Sequence, residues 1–249
     1  MVGSANLLSL FGIFALASGV SVSGYRRADE DCHVNQTIES RTTPTTLANG
    51  STLLFGKVGT LTWDASGKDV PLLGSISNCF GMYLTSNASQ MLDTDHLDSP
   101  RQRNEWHFPT VAAGQRFSYS WKQYLDPATG SSTHFFHLMQ VFGVPENNPI
   151  VTLDALSNNL KIVDYVSPTC GGVCPSTPLS NYLGKYTIHS IAGTFGPTGN
   201  LSYSVTSGST KIISYSRTGG LGSGAGYIKF GTYRLTFTPM TAVKCVGPF

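Results

Sequence analysis

Three short stretches of the chain hold side chains that could do chemistry together. Arg103-Asn104-Glu105-Trp106-His107 is the first. In a strand, successive side chains alternate between faces. Arg103, Glu105 and His107 then share one face, and Asn104, Trp106 and Phe108 the other. Three ionisable groups in one row suit a solvent face or a groove floor, not a core. As a solvent face the row would contribute little, because an exposed Arg–Glu pair is worth ~0–1 kcal/mol. On a groove floor, Glu105 would orient Arg103 or His107. The second stretch is Tyr227-Ile228-Lys229-Phe230-Gly231-Thr232-Tyr233-Arg234. Here Tyr227, Lys229, Gly231 and Tyr233 fall on one face, setting a cation between two phenols with a glycine clearing space. The plain reading is an amphipathic outer strand. The chemical reading is a phenol whose pKa, ordinarily about 10, is lowered by cations so that it can act as acid or base.

The third stretch is THFFHLMQVF, residues 133–142, nearly free of charge and rich in aromatics. It reads as a long central strand. Strict alternation puts His134, Phe136, Leu138, Gln140 and Phe142 on one face, and Phe135, His137, Met139 and Val141 on the other. An unpaired buried amide costs ~1–3 kcal/mol. Gln140 is therefore either a satisfied core amide or a group aimed at a polar ligand. His134 shares its face and could line a groove. His137 is expected to be a satisfied core histidine. Trp121 and Tyr119, on another aromatic strand, are either core or platforms for stacking sugars. His189 is expected to be structural or exposed.

The elements that must position these residues are short strands. Runs at 115–123, 149–155, 159–166, 185–194, 200–207, 210–216 and 226–238 are β-like, bounded by Gly, Pro, Asn and Asp. No run beyond the N-terminal leader has a sustained helical period. More than ten such strands with frequent turns predict an all-β, antiparallel β-sandwich of jelly-roll type. A curved sheet in such a fold offers a concave groove suited to an extended polymer. The glycine-rich segment 219–226 is a turn and not a phosphate cradle, since no helix follows it.

Composition narrows the setting. Residues 1–24 hold an apolar core followed by small residues, which fits a secretory signal peptide and is too short to span a membrane. Residues 25–249 show no linker or repeat and are expected to form a single domain of a secreted, extracellular protein. A net charge of +2 and only 12% charged residues imply no nucleic-acid partner and no membrane partner. A monomer is expected. Sequons at Asn35, Asn49, Asn87 and Asn200 predict a glycoprotein with these sites in surface loops. Cys32, Cys79, Cys170, Cys174 and Cys245 allow two disulfides and one free thiol. Cys170 and Cys174 could close a small loop on themselves. No second cluster has ligand spacing, so no metal is expected there. No cofactor is implied. A structural calcium held by loop oxygens would suit such a sandwich, though no EF-hand-like pattern supports one.

RNEWH, HLMQV and YIKFGTY, in that order, resemble motifs of the jelly-roll polysaccharide lyases. Alginate lyases of this fold carry strands reading R-[SN]-E-L-R, Q-[IV]-H and Y-F-K-A-G-x-Y. Arg103 and Glu105 match the first, Gln140 the second, and Tyr227, Lys229, Gly231 and Tyr233 the third. The chain departs from them at His107, where they have a second arginine, and at Phe142, where they have a histidine. Both departures make it look more similar to the fungal glucuronan lyases, which use a histidine from another strand. The resemblance implies β-elimination on an acidic polysaccharide. Gln140 and Arg103, with His107, would neutralise the uronate carboxylate. Tyr233 would serve as acid and also as base in a syn elimination, with His107 the alternative base. Glu105, His134, Tyr227 and Lys229 would bind substrate or tune Tyr233. Two rival readings remain at this level. A glycoside hydrolase would need a second carboxylate beside Glu105, from Asp126, Asp154 or Asp164. A non-catalytic carbohydrate-binding or cell-wall protein would need no titratable trio.

Overall fold

The computed structural model describes residues 36–38, 52–55, 61–64, 79–89 and 99–247, with side chains for 81–89, 99–243 and 245. The N-terminal leader, Cys32 and the sequons at Asn35 and Asn49 lie outside these residues.

Among the described residues, alternating apolar residues with β-branched and aromatic neighbours form fifteen strands in two antiparallel sheets. The eight-stranded sheet runs in the order β1 (Gln36–Ile38), β3 (Leu61–Asp64), β4 (Cys79–Leu84), β15 (Val243–Gly247), β6 (Arg116–Leu125), β11 (Tyr186–Thr194), β12 (Asn200–Ser207) and β13 (Thr210–Arg217). The seven-stranded sheet runs β10 (Ser176–Pro178), β9 (Asn159–Asp164), β8 (Asn148–Leu156), β7 (Phe136–Gly143), β14 (Gly226–Leu235), β5 (Arg101–His107) and β2 (Thr52–Phe55). The architecture is the expected sandwich of jelly-roll type. The two sheets bury a common aromatic core. Trp121 of β6 meets Phe230 of β14 with ring centroids 4.7 Å apart, and Phe108 stacks on Tyr119 at 3.9 Å. Trp121 is therefore core and not a sugar platform, and Tyr119 packs against the same core.

The three chemical motifs fall on β5, β14 and β7, which are neighbours in one sheet. Between β5 and β14 the register is regular: Arg103 pairs with Tyr233, Glu105 with Gly231 and His107 with Lys229. Strand β7 is irregular. It takes three residues from His137 to Gln140 where β8 takes two from Asp154 to Thr152. An extra residue in one strand of a pair is a β-bulge, and it changes which face the following side chains take. The expectation from strict alternation is thus corrected. His137 and Gln140 share the outer face, while Leu138 and Met139 are both fully buried. His134 lies before β7, is exposed, and sits 5.8 Å from the ring of Phe237.

β14 carries a matching irregularity between Phe230 and Tyr233. Gly231 sits within it at φ +138°, where L side chains are strained. A Cβ there would stand 2.3 Å from the backbone oxygen of Asn104. The residue is fixed by conformation and by the close approach of β5. Cys170 and Cys174 are joined in a disulfide in the loop between β9 and β10, which removes them as metal ligands. Cys245 is buried and unbridged.

Candidate active site

A cleft of about 680 Å³ lies on the outer face of the seven-stranded sheet. Its floor is built by β5, β7 and β14, which contribute Arg101 and Arg103, His137, Gln140 and Phe142, and Tyr227, Lys229 and Tyr233. Phe135, Tyr165, Asn147 and the start of β8, Asn148 and Pro149, complete the described lining. Three basic side chains, Arg101, Arg103 and Lys229, stand in the lining, and among the described residues no carboxylate does. Two carboxylates lie just behind it. Glu105 and Asp154 are 1% and 2% exposed, and each holds a residue of the floor.

Glu105 accepts a short hydrogen bond from the Gln140 amide, and its other oxygen is 3.8 Å from Nε of Arg103. The glycine at position 231 leaves no side chain between β5 and β7 at this level, so Gln140 can reach across to Glu105. Gln140 is accordingly a satisfied buried amide and a cleft residue at once. Glu105 orients the floor without lining it.

Asp154 holds His137 by a 2.6 Å contact between Oδ1 and Nδ1. That contact leaves Nε2 as the ring nitrogen facing the cleft. The expectation of a core histidine is therefore corrected: His137 is buried and partnered, and it lines the site. The signal in the sequence was the odd spacing of His137 and Gln140, which only a bulge places on one face.

Tyr233 is 6% exposed and stands next to His137, with ring centroids 5.7 Å apart. Its hydroxyl accepts a 2.8 Å hydrogen bond from Nη1 of Arg101, and the Arg103 guanidinium lies 4.0 Å from its ring centroid. Burial raises its pKa above the ordinary tyrosine value, while Arg103 and Arg101 pull in the opposite direction without cancelling it. The expected lowering by neighbouring cations is thus corrected. At neutral pH the group is a phenol, able to give a proton, with two cations ready to stabilise the phenolate it would become.

The other end of the cleft is aromatic. Tyr227 stacks on Phe142 with centroids 5.0 Å apart and 12° between planes, and Nζ of Lys229 lies 4.0 Å from the Phe142 centroid. His107 packs against Tyr227 at 3.9 Å and is not part of the lining. Burial and then Lys229 lower its pKa. The structure thus brings together Arg103, Gln140, Tyr227, Lys229 and Tyr233. It sets His107 against Tyr227 and off the lining, Glu105 behind the floor and His134 outside. It adds Arg101, His137 and Asp154.

Of the acids considered for hydrolysis, Glu105 and Asp154 lie behind the floor, and the other two are engaged elsewhere. Asp126 caps a short turn through the backbone N–H of Ala128, and Asp164 is bound by Tyr215 and Arg217.

These features define an antiparallel β-sandwich with a cationic cleft holding a phenol and a carboxylate-bound imidazole. No family model matches the chain, and no curated protein matches it. Among solved structures it is similar to an alginate lyase of polysaccharide lyase family 7, at 8% identity over 83% of this chain and 93% of that one, with a TM-score of 0.49. It is also similar to an endo-β-1,4-glucuronan lyase from the fungus Trichoderma reesei, at 13% identity over 88% and 94%, TM-score 0.49. A third is an alginate lyase from Corynebacterium sp., at 10% identity over 75% and 80%, TM-score 0.46.

Proposed function

We propose that the chain is a polysaccharide lyase that cleaves an acidic, uronate-containing polymer of the glucuronan kind by β-elimination, acting outside the cell. The single observation that carries this reading is the lining of the cleft: three cations, a buried phenol and a held imidazole, with Glu105 and Asp154 set behind them.

Elimination removes the proton at C5 of a uronate and expels the sugar linked at O4. The adjacent carboxylate opposes it, because negative charge must build beside a charge already present. Donors aimed at that carboxylate lower the barrier. Gln140 and Arg103 are held in place for this by Glu105, so little reorganisation is needed when charge develops. Tyr233 gives its proton to O4 of the departing sugar. Arg101 and Arg103 stabilise the phenolate that results. Tyr227, Phe142 and Lys229 bind the neighbouring sugar by stacking and by charge. Hydrolysis is disfavoured, because it needs two carboxylates flanking the bond and the described residues of the lining supply none. Among the described residues no helix is long and apolar enough to cross a membrane. Asn87 and Asn200 are exposed, as glycan acceptors on a secreted chain must be.

The test is ultraviolet absorbance of the conjugated, unsaturated uronate released from a panel of polyuronates. The expected result is a rise on at least one polymer and a fall of about 10²–10⁴ in kcat for Tyr233→Phe. New reducing ends without absorbance would instead establish hydrolysis. Binding of a polymer with neither signal would establish a carbohydrate-binding protein.

A further inference from the structure

The lyase reading leaves the base open, and the geometry of the cleft floor bears on it. We infer that His137, positioned by Asp154, takes the C5 proton on the same face of the sugar from which Tyr233 protonates O4, so that the chain cleaves only 1→4-linked uronates whose H5 and O4 are cis. This inference rests on the proposed lyase activity and goes beyond it, to a residue and to a stereochemical class of substrate.

Three observations support it. First, His137 is the imidazole of the lining. Asp154 occupies Nδ1, which fixes the proton there and leaves the lone pair of Nε2 toward the cleft. His107 packs against Tyr227 and is not part of the lining. Second, the position two residues beyond Gln140, where the resembling alginate motif has its histidine, is Phe142 stacked on Tyr227. The imidazole reaches the floor from the other side of Gln140, through the bulge in β7. Third, His137 and Tyr233 are cross-strand neighbours 5.7 Å apart between centroids. A sugar ring slotted between them would need two van der Waals contacts of about 3.5–4.0 Å each, or roughly 7–8 Å. The gap is too small. The sugar must lie over the pair, and both groups then meet one face of it.

The step balances within the site. Nε2 of His137 takes the proton from C5, the electron pair of that bond becomes the C4–C5 double bond, and the C4–O4 bond breaks. O4 takes the proton of the Tyr233 hydroxyl. The imidazolium then loses one proton and the phenolate regains one, through water. H5 and O4 are cis in gluco- and manno-configured uronates, and trans in gulo- and galacto-configured ones. The former suit a same-face pair. The latter need base and acid on opposite faces.

The experiment uses the full chain with glucuronan, polymannuronate, polyguluronate and polygalacturonate, read by absorbance. If no polymer gives a rise, the lyase reading itself falls. If the wild type is active, it is expected to act on glucuronan or polymannuronate and at least about 10²-fold more slowly on the trans polymers. Comparable rates on polyguluronate or polygalacturonate would overturn the same-face assignment. His137→Ala is expected to lose about 10²–10⁴-fold in kcat, with activity partly restored by added imidazole. His137→Gln, which keeps a polar side chain in the bulge, is expected to fold and to stay inactive. Near-wild-type kcat in His137→Gln would overturn the assignment of the base. Asp154→Asn is expected to lower kcat with KM unchanged, and to gain nothing from imidazole, since its own ring is still in place. An equal rise in KM would show that Asp154 only supports the fold.

Discussion

Two buried histidines in this molecule have opposite surroundings. His137, on the cleft floor, is held on one nitrogen by a carboxylate and turns the other to the cleft. His189 is fully buried on β11, stacks with Trp121, and is bonded on both nitrogens by neutral hydroxyls. Tyr203 reaches Nδ1 at 2.8 Å and Tyr182 reaches Nε2 at 3.0 Å, with Thr187 at 3.2 Å. Burial pushes the pKa of His189 down to about 3. Among the described residues no charge stands beside it to favour the protonated form. The difference teaches what makes a histidine chemical in this fold: a nitrogen left unbonded toward a cavity and an acid behind the ring. A histidine with both nitrogens satisfied by hydroxyls is a polar spacer that joins strands.

The largest expected effect comes from breaking the cleft floor through its backbone. Gly231→Ala would have to adopt a positive φ and would press a Cβ into the Asn104 oxygen. Strain and clash together should cost about 3 kcal/mol or more. Turnover should fall to background, measured beside a urea unfolding curve. A stable and active variant would show that the bulge does not depend on glycine.

Next comes the interior. His189→Leu would leave the hydroxyls of Tyr182 and Tyr203 without their partner, at about 1–3 kcal/mol each. A loss of stability of about 2–4 kcal/mol is expected, with kcat per folded molecule unchanged. A fall in kcat as large as that of His137→Gln would erase the distinction between the two histidines.

The same residue gives a pH signature. Folded His189 stays neutral down to about pH 3, whereas an unfolded imidazole takes up a proton near 6.5. Below pH 6.5 the unfolded chain therefore binds more protons than the folded one, and stability falls as pH falls. The limiting slope is about 1.4 kcal/mol per pH unit for one proton. His107, also held below its ordinary value, adds in the same direction. Asp164 is held low as a carboxylate, so its contribution is present above about pH 4 and is lost as pH falls further. Unfolding free energies between pH 6.5 and 4.5 should thus decline in the wild type and decline less steeply in His189→Leu, where the contribution of His107 remains. A flat wild-type profile would show that His189 ionises freely in the folded state.

The smallest effect is expected at His134. It shares a face with Gln140 only if β7 is regular. His134→Ala should change kcat/KM by less than about twofold and stability by less than about 0.5 kcal/mol. A larger loss would mean that the register places His134, and not His137, on the floor.

The sequence by itself determined the β-rich character, the antiparallel sandwich and the strands at 115–123, 149–155 and 200–207 to within a few residues. These rest on local alternation and turn chemistry, which the chain carries at every position. It also placed the rows on β5 and β14, because those two strands pair in unbroken register. It did not decide the side of His137. Facing depends on the parity of residues between pairing positions, and one added residue in β7, visible only against β8, reverses it. Nor did it decide the protonation of Tyr233. The cations were legible as neighbours in the row, but the burial that outweighs them comes from Phe135 and the strands around it. Asp154 became the partner of His137 only when β8 was laid beside β7, since a contact between two strands belongs to neither of them alone.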